Sequence, residues 1–517
     1  MARKNVTGPG PDMPLPGDHA TLGEALAAAA ERFGDREAYV DGPRRMTFAE
    51  WDRRASALAR RLAERGVRHG DVVALMLPSG IDYAVCYAAV LRAGAVVTGL
   101  NTRLGPREVT AILARCAPAL VIRDEAAGLP QVPGGIPVLS RRDLAGMWRE
   151  PAPPGEDQPV APEDPAVIIW SSGTTGEPKG AWFDHGGLAA AVRSGGVMSG
   201  PFDRRLVATP FAHAGYMAKV WEQIAWGMTF VISPVPWSAE QMAALLRDER
   251  ITVAGGVPTQ WSKLLDVPGV AGAFPDLRVG VAATAPAAPD LVERVAELLG
   301  VPLIVRYAMT ECPSISGTRP EDPPEIQFRT VGRPQEGVEV RVTDEDGRWL
   351  GPGEVGEIRV RGACLMRGYW GDPERTRAAF DDEGWLRTGD LGSITPDGHI
   401  VLSGRRGDMY IRGGYNIHPL EVEHVLSAHP RVKQVAVVGA PAPVIGEIGV
   451  AFVVPEDPAR PPELAALRSW VKDRLADYKA PDELVLVDEL PLTSMSKVDR
   501  ERLRRYAAVH RPAGTRR

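Results

Sequence analysis

The run Ala166-Val167-Ile168-Ile169-Trp170 leads straight into Ser171-Ser172-Gly173-Thr174-Thr175-Gly176-Glu177-Pro178-Lys179-Gly180, and this junction decides how the rest of the chain is read. An unbroken apolar run bounded by turn residues predicts a buried strand. The segment after it supplies four hydroxyls, three glycines and one lysine. Glycine lets the backbone approach a ligand closely and adopt positive φ. Hydroxyls and free backbone N–H groups can wrap phosphate oxygens, and a lysine adds positive charge. That is the composition of a polyphosphate cradle. It differs from the common P-loop, because no Gly-Lys-Ser/Thr closes it and no helical pattern follows directly.

Outward from this junction the pattern alternates. Thr21 with Glu24 predicts a capping box for a helix Leu22 to Phe33, and Thr47 with Glu50 predicts the start of a helix Phe48 to Arg65. Phe48, Trp51, Ala55, Leu58 and Leu62 recur at helical spacing and should face a core. Strands at 72–77, 95–100 and 119–122 separate helices at 81–93 and 106–115. Such alternation implies an α/β fold of parallel sheet with crossover helices. After Thr330 the texture changes to short alternating runs, Val338 to Val342 and Glu357 to Arg361, which predict antiparallel strands of a small β subdomain. Helices at 419–428 and 463–478 and strands at 435–439, 449–454 and 483–487 predict a compact α+β unit at the end.

The chain has 517 residues, too long for one core, so more than one domain is expected. Net charge is −6, which argues against nucleic acid as the main partner. The four cysteines, Cys86, Cys116, Cys312 and Cys364, form no CxxC pair, so neither a disulfide framework nor a zinc site is expected. A reducing compartment, the cytoplasm, fits that usage. The Pro- and Gly-rich start lacks the apolar core of a signal peptide, and no apolar run is long enough to span a membrane.

Further segments join the first. They are Pro210-Phe211-Ala212-His213-Ala214-Gly215, Ala282-Ala283-Thr284, Tyr307-Ala308-Met309-Thr310-Glu311, Thr388-Gly389-Asp390, Gly404-Arg405-Arg406-Gly407-Asp408, Gly413-Gly414 and Pro491 to Lys497. Together with the phosphate segment, and in this order, they resemble the adenylate-forming (AMP-binding) enzymes, and among these the acyl-CoA synthetases. The resemblance spans about residues 20 to 508. It implies a large N-terminal domain, 1–403, of parallel-sheet layers with the β subdomain, and a small mobile C-terminal domain, 404–517.

It further implies ATP, Mg²⁺ and coenzyme A as reaction partners and an acid-thiol ligase activity on a fatty, alicyclic or aromatic acid. Ser171, Ser172, Gly173, Thr174, Thr175, Gly176 and Lys179 would hold phosphates, with Thr174 and Glu311 on Mg²⁺. Ala282, Ala283, Thr284, Tyr307 and Ala308 would flank adenine, and Asp390 and Arg405 would take the ribose. Gly413 and Gly414 would let the pantetheine arm pass. Thr310, Glu311, His213 and Lys497 would act at the reacting centre. His213, Ala214, Tyr216, Val257, Trp261, Ala282, Tyr307 and Ala308 are the candidates for lining the acyl pocket. The chain departs from the family pattern at Ala308, Gly407 and Ser496. A carrier-protein thiol or an amine as acceptor, or nucleotide binding without turnover, are the alternative expectations.

Overall fold

The computed structural model describes residues 19–125, 129–149, 158–172, 177–283, 289–493 and 498–509. Its first sheet places Val138–Ser140, Leu120–Arg123, Val72–Met76, Val96–Gly99 and Pro165–Ser172 side by side, all parallel. Pro178–Asp184 and then Gly368–Tyr369 extend it antiparallel. The second sheet runs parallel through Glu37–Asp41, Thr229–Ile232, Arg204–Val207, Val253–Gly256, Val279–Ala283 and Leu303–Met309. Antiparallel strands close its edges, Arg44–Thr47 on one side and Cys312–Gly317 with Arg333–Pro334 on the other.

The expected capping box at Thr21 and Glu24 is formed, and Thr47 caps Phe48–Glu64. Phe48, Trp51, Ala55, Leu58 and Leu62 are all buried, as their spacing requires. The helix Ile81–Arg92 is buried almost all round because helices cover one side of it and strands of both large sheets the other.

The phosphate segment has a form its sequence did not announce. Pro178–Asp184 is a strand, paired antiparallel with Pro165–Ser172 so that Ser171 faces Lys179. The described ends of the segment, Ser171-Ser172 and Pro178 to Gly180, are therefore paired strands. Gly180 explains why this was hard to see. Glycine weakens a strand pattern, but here a Cβ would meet Ile168 Cγ2 at 2.8 Å and the Trp170 ring at 3.0 Å.

Val338–Thr343, Gly356–Gly362, Leu386–Ile394 and Ile400–Arg405 form a four-stranded antiparallel sheet, with the two expected hairpin strands paired. Thr388-Gly389-Asp390 lies inside one of these strands rather than on a turn. Beyond it, Tyr410–Arg412, Tyr415–Ile417, Val432–Ala442, Gly446–Pro455 and Glu483–Leu486 make a separate sheet. Pro419–Ser427 and Leu464–Lys472 pack on one face, and Arg500–Val509 on the other. The expected helix to Tyr478 ends early at Lys472, followed by a short turn Asp477–Lys479. Among the described residues, no helix is long and apolar enough to cross a membrane.

Candidate active site

In sheets wound this way, ligands sit beyond the carboxyl ends of the parallel strands. The expected site residues gather at such ends. Ser171 closes Pro165–Ser172, Ala282 and Ala283 close Val279–Ala283, and Tyr307 and Ala308 lie near the end of Leu303–Met309. Thr310 and Glu311 make the turn from that strand into Cys312–Gly317. The hairpin carries a bulge between Tyr307 and Met309, and Ala308, at the bulge, is exposed.

Glu311 is 8% exposed, and two groups from one segment hold it. Met366 N–H donates to its carbonyl at 2.9 Å, and Tyr369 Oη donates to its carboxylate Oε1 at 2.8 Å. The same segment is stitched to the phosphate hairpin, Arg367 N to Trp182 O at 2.8 Å and Trp370 N to Gly180 O at 2.7 Å. Lys179 Nζ lies over the Tyr369 ring, 5.7 Å from its centroid. Residues 366–370 thus tie a cation on the first sheet to a carboxylate on the second. Burial, reinforced by the Glu311 charge, raises the Tyr369 phenol well above its ordinary pKa, so it remains a donor.

Asp390 is buried, 4% exposed. Tyr307 Oη donates to its Oδ2 at 2.6 Å, and Arg405 Nε donates to its Oδ1 at 2.7 Å. Asp390 and Arg405 are cross-strand partners, which is why two residues so far apart in sequence meet. The Asp390 charge raises the Arg405 guanidinium, and burial raises the Tyr307 phenol. A carboxylate offers about four acceptor sites, so two remain for the two ribose hydroxyls.

His213 caps the short helix Ala214–Met217 and is half-buried. Its loop lies against the end of Val96–Gly99, where a Cβ on Gly99 would come within 2.6 Å of Ala212 Cα. The expected pocket residues Tyr216 and Trp261 are instead core. Tyr216 is stacked on Phe211 at 3.5 Å and bonded to the Tyr39 hydroxyl at 2.9 Å. Trp261 is fully buried and donates to Val281 O at 3.1 Å. Large aromatic rings at helical positions are drawn into the interior by their apolar area.

Gly413 and Gly414 both take positive φ, +58° and +88°, with open space where a Cβ would stand. Gly407 likewise has nothing within 4 Å. It sits between two anchors, Arg405 on Asp390 before it and Asp408 paired with Arg504 of the terminal helix after it. Gly173, Thr174, Thr175, Gly176, Thr284 and Lys497 lie outside the described residues, and of Ser172 only the backbone pairing is described.

Tyr369 was not visible in sequence, because its partner Glu311 is 58 residues away. Arg115 was missed for the same reason. It donates to Pro178 O at 2.9 Å and pairs with Glu177 at 3.3 Å, pinning the returning strand of the phosphate hairpin. An aromatic in Gly368-Tyr369-Trp370 beside an apolar stretch was the only local signal.

A family model described as AMP-binding enzyme matches residues 26–370, and one described as AMP-binding enzyme C-terminal domain matches residues 421–497. Feruloyl-CoA synthase of Amycolatopsis sp is 34% identical, the match covering 89% of this chain and 94% of that protein. The Rhodococcus jostii protein named 3-[(3aS,4S,7aS)-7a-methyl-1,5-dioxo-octahydro-1H-inden-4-yl]propanoyl:CoA ligase is 32% identical, over 94% of this chain and 98% of that one. Among solved structures, ATP-bound MatB from Rhodopseudomonas palustris superposes with a TM-score of 0.85 at 28% identity, covering 95% of this chain and 100% of that one.

Proposed function

The chain belongs to the AMP-binding enzyme family, and from this we infer that it is an ATP-dependent, AMP-forming ligase joining a small carboxylic acid to the thiol of coenzyme A. The observation that carries the reading is Tyr369, whose ring faces the Lys179 cation and whose hydroxyl donates to the Glu311 carboxylate. A carboxylate beside a phosphate-binding hairpin suits Mg²⁺, which takes one or two protein carboxylates plus phosphate oxygens. When bound, Mg²⁺ neutralises phosphate charge during displacement.

In the first half-reaction a carboxylate oxygen of the acid attacks the α-phosphorus of ATP. The bond to the bridging oxygen breaks, and pyrophosphate leaves. Asp390 and Arg405 hold the ribose, Ala282 and Tyr307 flank the adenine, and the phosphate hairpin with Lys179 holds the leaving group. Thr310 contacts the α-phosphate. Lys497 bridges the carboxylate and the α-phosphate, stabilising charge as it develops. His213 lines the acyl site.

In the second half-reaction the thiol sulfur attacks the acyl carbonyl, AMP leaves, and the thiol proton passes to solvent. We assign the domain division to residue 404, with Gly407 as the pivot, because its neighbours are anchored to opposite bodies. Gly413 and Gly414 then offer an open strip for the pantetheine arm. The names of the two curated relatives, one aromatic and one alicyclic in its acyl group, support an acid with an apolar body.

The test is pyrophosphate release across a panel of carboxylic acids, with and without coenzyme A. Turnover with a thioester product is expected. A single burst without turnover in the presence of coenzyme A would move the acceptor to a carrier protein or an amine. No release with any acid would leave a nucleotide-binding protein.

A further inference from the structure

Gly413 and Gly414 form the two-residue loop between Tyr410–Arg412 and Tyr415–Ile417, whose pairs are Arg412 with Tyr415, Ile411 with Asn416 and Tyr410 with Ile417. Positive φ at both loop positions is what a tight hairpin turn of this length requires. So short a ribbon is marginal by itself. Its ladder to the long strand Gly446–Pro455 is one pair, Arg412 opposite Gly446. Two backbone donors add to it, Gly413 N to Ile445 O at 2.8 Å and Ile411 N to Glu447 Oε2 at 2.8 Å. At its base Tyr410 fills the space over the cross-strand glycines Gly439 and Gly449, where a Cβ on either would collide with it.

The tip of the ribbon is held by side chains. Arg412 and Tyr415 are directly opposite, so both leave the same face. Arg412 meets Asp482 as a fork, Nε to Oδ2 at 2.9 Å and Nη2 to Oδ1 at 2.7 Å. Tyr415 stacks on Tyr478, with ring centroids 4.3 Å apart and the planes 17° from parallel. Both partners come from one short segment, residues 478–482, which is itself tied down. Asp482 N donates to Gly449 O at 2.7 Å, and Gly449 N donates to Asp482 Oδ2 at 3.2 Å. Arg468 Nη1 donates to Pro481 O at 3.0 Å, and Lys479 Nζ to Glu421 at 2.7 Å. The fork is 24% exposed at Arg412 and 15% at Asp482, so it is less screened than an ordinary surface pair, and its two parallel bonds fix direction as well as distance.

We propose that Arg412 and Tyr415, gripped by Asp482 and Tyr478, are positioning residues for thioester formation, holding the Gly413–Gly414 tip where the thiol arm of coenzyme A passes. The idea rests on the ligase reading and on the glycine strip as the thiol path. Both side chains turn to the 478–482 segment, so they act through the tip. The acyl-adenylate forms before the thiol enters. A loosened tip therefore costs the second half-reaction and spares the first.

Arg412→Met is the sharper variant, because Asp482 keeps Gly449 N and lies 3.5 Å from Arg468 Nη1 once the fork is gone. ATP–pyrophosphate exchange without coenzyme A should stay within about threefold of wild type. KM for coenzyme A should rise by roughly ten- to a hundredfold, with kcat less affected. Arg412→Lys should recover part of the loss, since a point charge cannot fork, and thermal unfolding confirms that each variant folds. Equal losses in both half-reactions, or an unchanged KM, would make the pair purely structural and overturn the proposal. Calorimetric titration of coenzyme A into AMP-saturated enzyme reads the same effect without turnover, with a matching rise in Kd expected. Amide hydrogen exchange separates two ways of failing. Unchanged exchange over 410–417 in Arg412→Met would show that the clamp does not hold the tip. Faster exchange there with an unchanged Kd would show that the thiol passes elsewhere. Either result overturns the proposal. If no acid supports pyrophosphate exchange, the ligase reading fails, and the calorimetric comparison still decides the role of the pair: equal Kd values, or no binding to the wild type, overturn it.

Discussion

Replacing Asp390 by Asn changes no volume and removes one charge, which makes it the sharpest probe of the ribose assignment. Asp390 is 4% exposed and its two oxygens are shared between Tyr307 and Arg405. The Asn oxygen can keep the Tyr307 bond but loses its charge assistance, about 1 kcal/mol. Its NH₂ then faces Arg405, where the lost pair is worth at most about 1 kcal/mol because that side chain is 59% exposed. The donor left without an acceptor adds about 1–3 kcal/mol. Folding should weaken by about 2–5 kcal/mol in all.

The nucleotide loses more specifically. Of the two acceptor sites left for ribose hydroxyls, one vanishes and the other becomes neutral, again about 2–4 kcal/mol. At about 1.4 kcal/mol per tenfold, the Kd for ATP should rise roughly thirty- to several-hundred-fold. Titration calorimetry with ATP, and with 2′-deoxy- and 3′-deoxy-ATP, reads this directly. The wild type should discriminate against the deoxy forms, and the variant should not. An ATP Kd within about threefold of wild type, alongside a lowered Tm, would mean that Asp390 only supports Tyr307, and the ribose role would be refuted.

Four other perturbations bear on the same architecture. Lys497→Ala should slow adenylation by about 10²–10³ or more in stopped-flow pyrophosphate assays, and unaltered adenylation would remove Lys497 from the reacting centre. Gly180→Ala drives a methyl to 2.8 Å from Ile168 and 3.0 Å from Trp170, so a loss of about 1–3 kcal/mol is expected in thermal unfolding. Gly407→Pro should impair adenylation, thioester formation or both, because a fixed φ restricts the chain between the Arg405 and Asp408 anchors. Both half-reactions intact would end the pivot assignment. His185 is 1% exposed, and burial pushes its pKa down to about 4 while Nδ1 accepts from Leu22 N at 3.4 Å. The unfolded chain then binds more protons between about pH 6.5 and 4, so stability should fall by roughly 3 kcal/mol across that window on acidification. The Tm of His185→Gln should be flatter over the same range.

How much of this was legible in the sequence depended on distance along the chain. The capping box at Thr21 and the N-cap at Thr47 were readable because cap and partner are three residues apart. The buried faces of Phe48–Glu64 followed from helical period alone. The strand Pro178–Asp184 was not readable, because its stability comes from pairing with Pro165–Ser172 and its glycine exists to clear Trp170. Asp390 was recognisable as a buried acceptor, but its position inside a strand, opposite Arg405, depends on register. Tyr216 and Trp261 were misplaced because an aromatic near a site motif carries the same local signal whether it lines a pocket or fills a core.

The assembled geometry also says why the phosphate hairpin and the Thr310–Glu311 turn cannot be treated as independent motifs. They stand on different sheets, and residues 366–370 hydrogen-bond to both. A backbone bond from Trp370 fixes Gly180, and a side-chain bond from Tyr369 fixes Glu311, within two consecutive residues. Movement of Glu311 away from Tyr369 would leave the buried carboxylate short of a donor, which costs about 1–3 kcal/mol or more for a charged group. The spacing between the cation and the carboxylate is therefore held before any nucleotide arrives. Preorganised charge of this kind needs no rearrangement when charge shifts during reaction, and that is where electrostatic catalysis gains most.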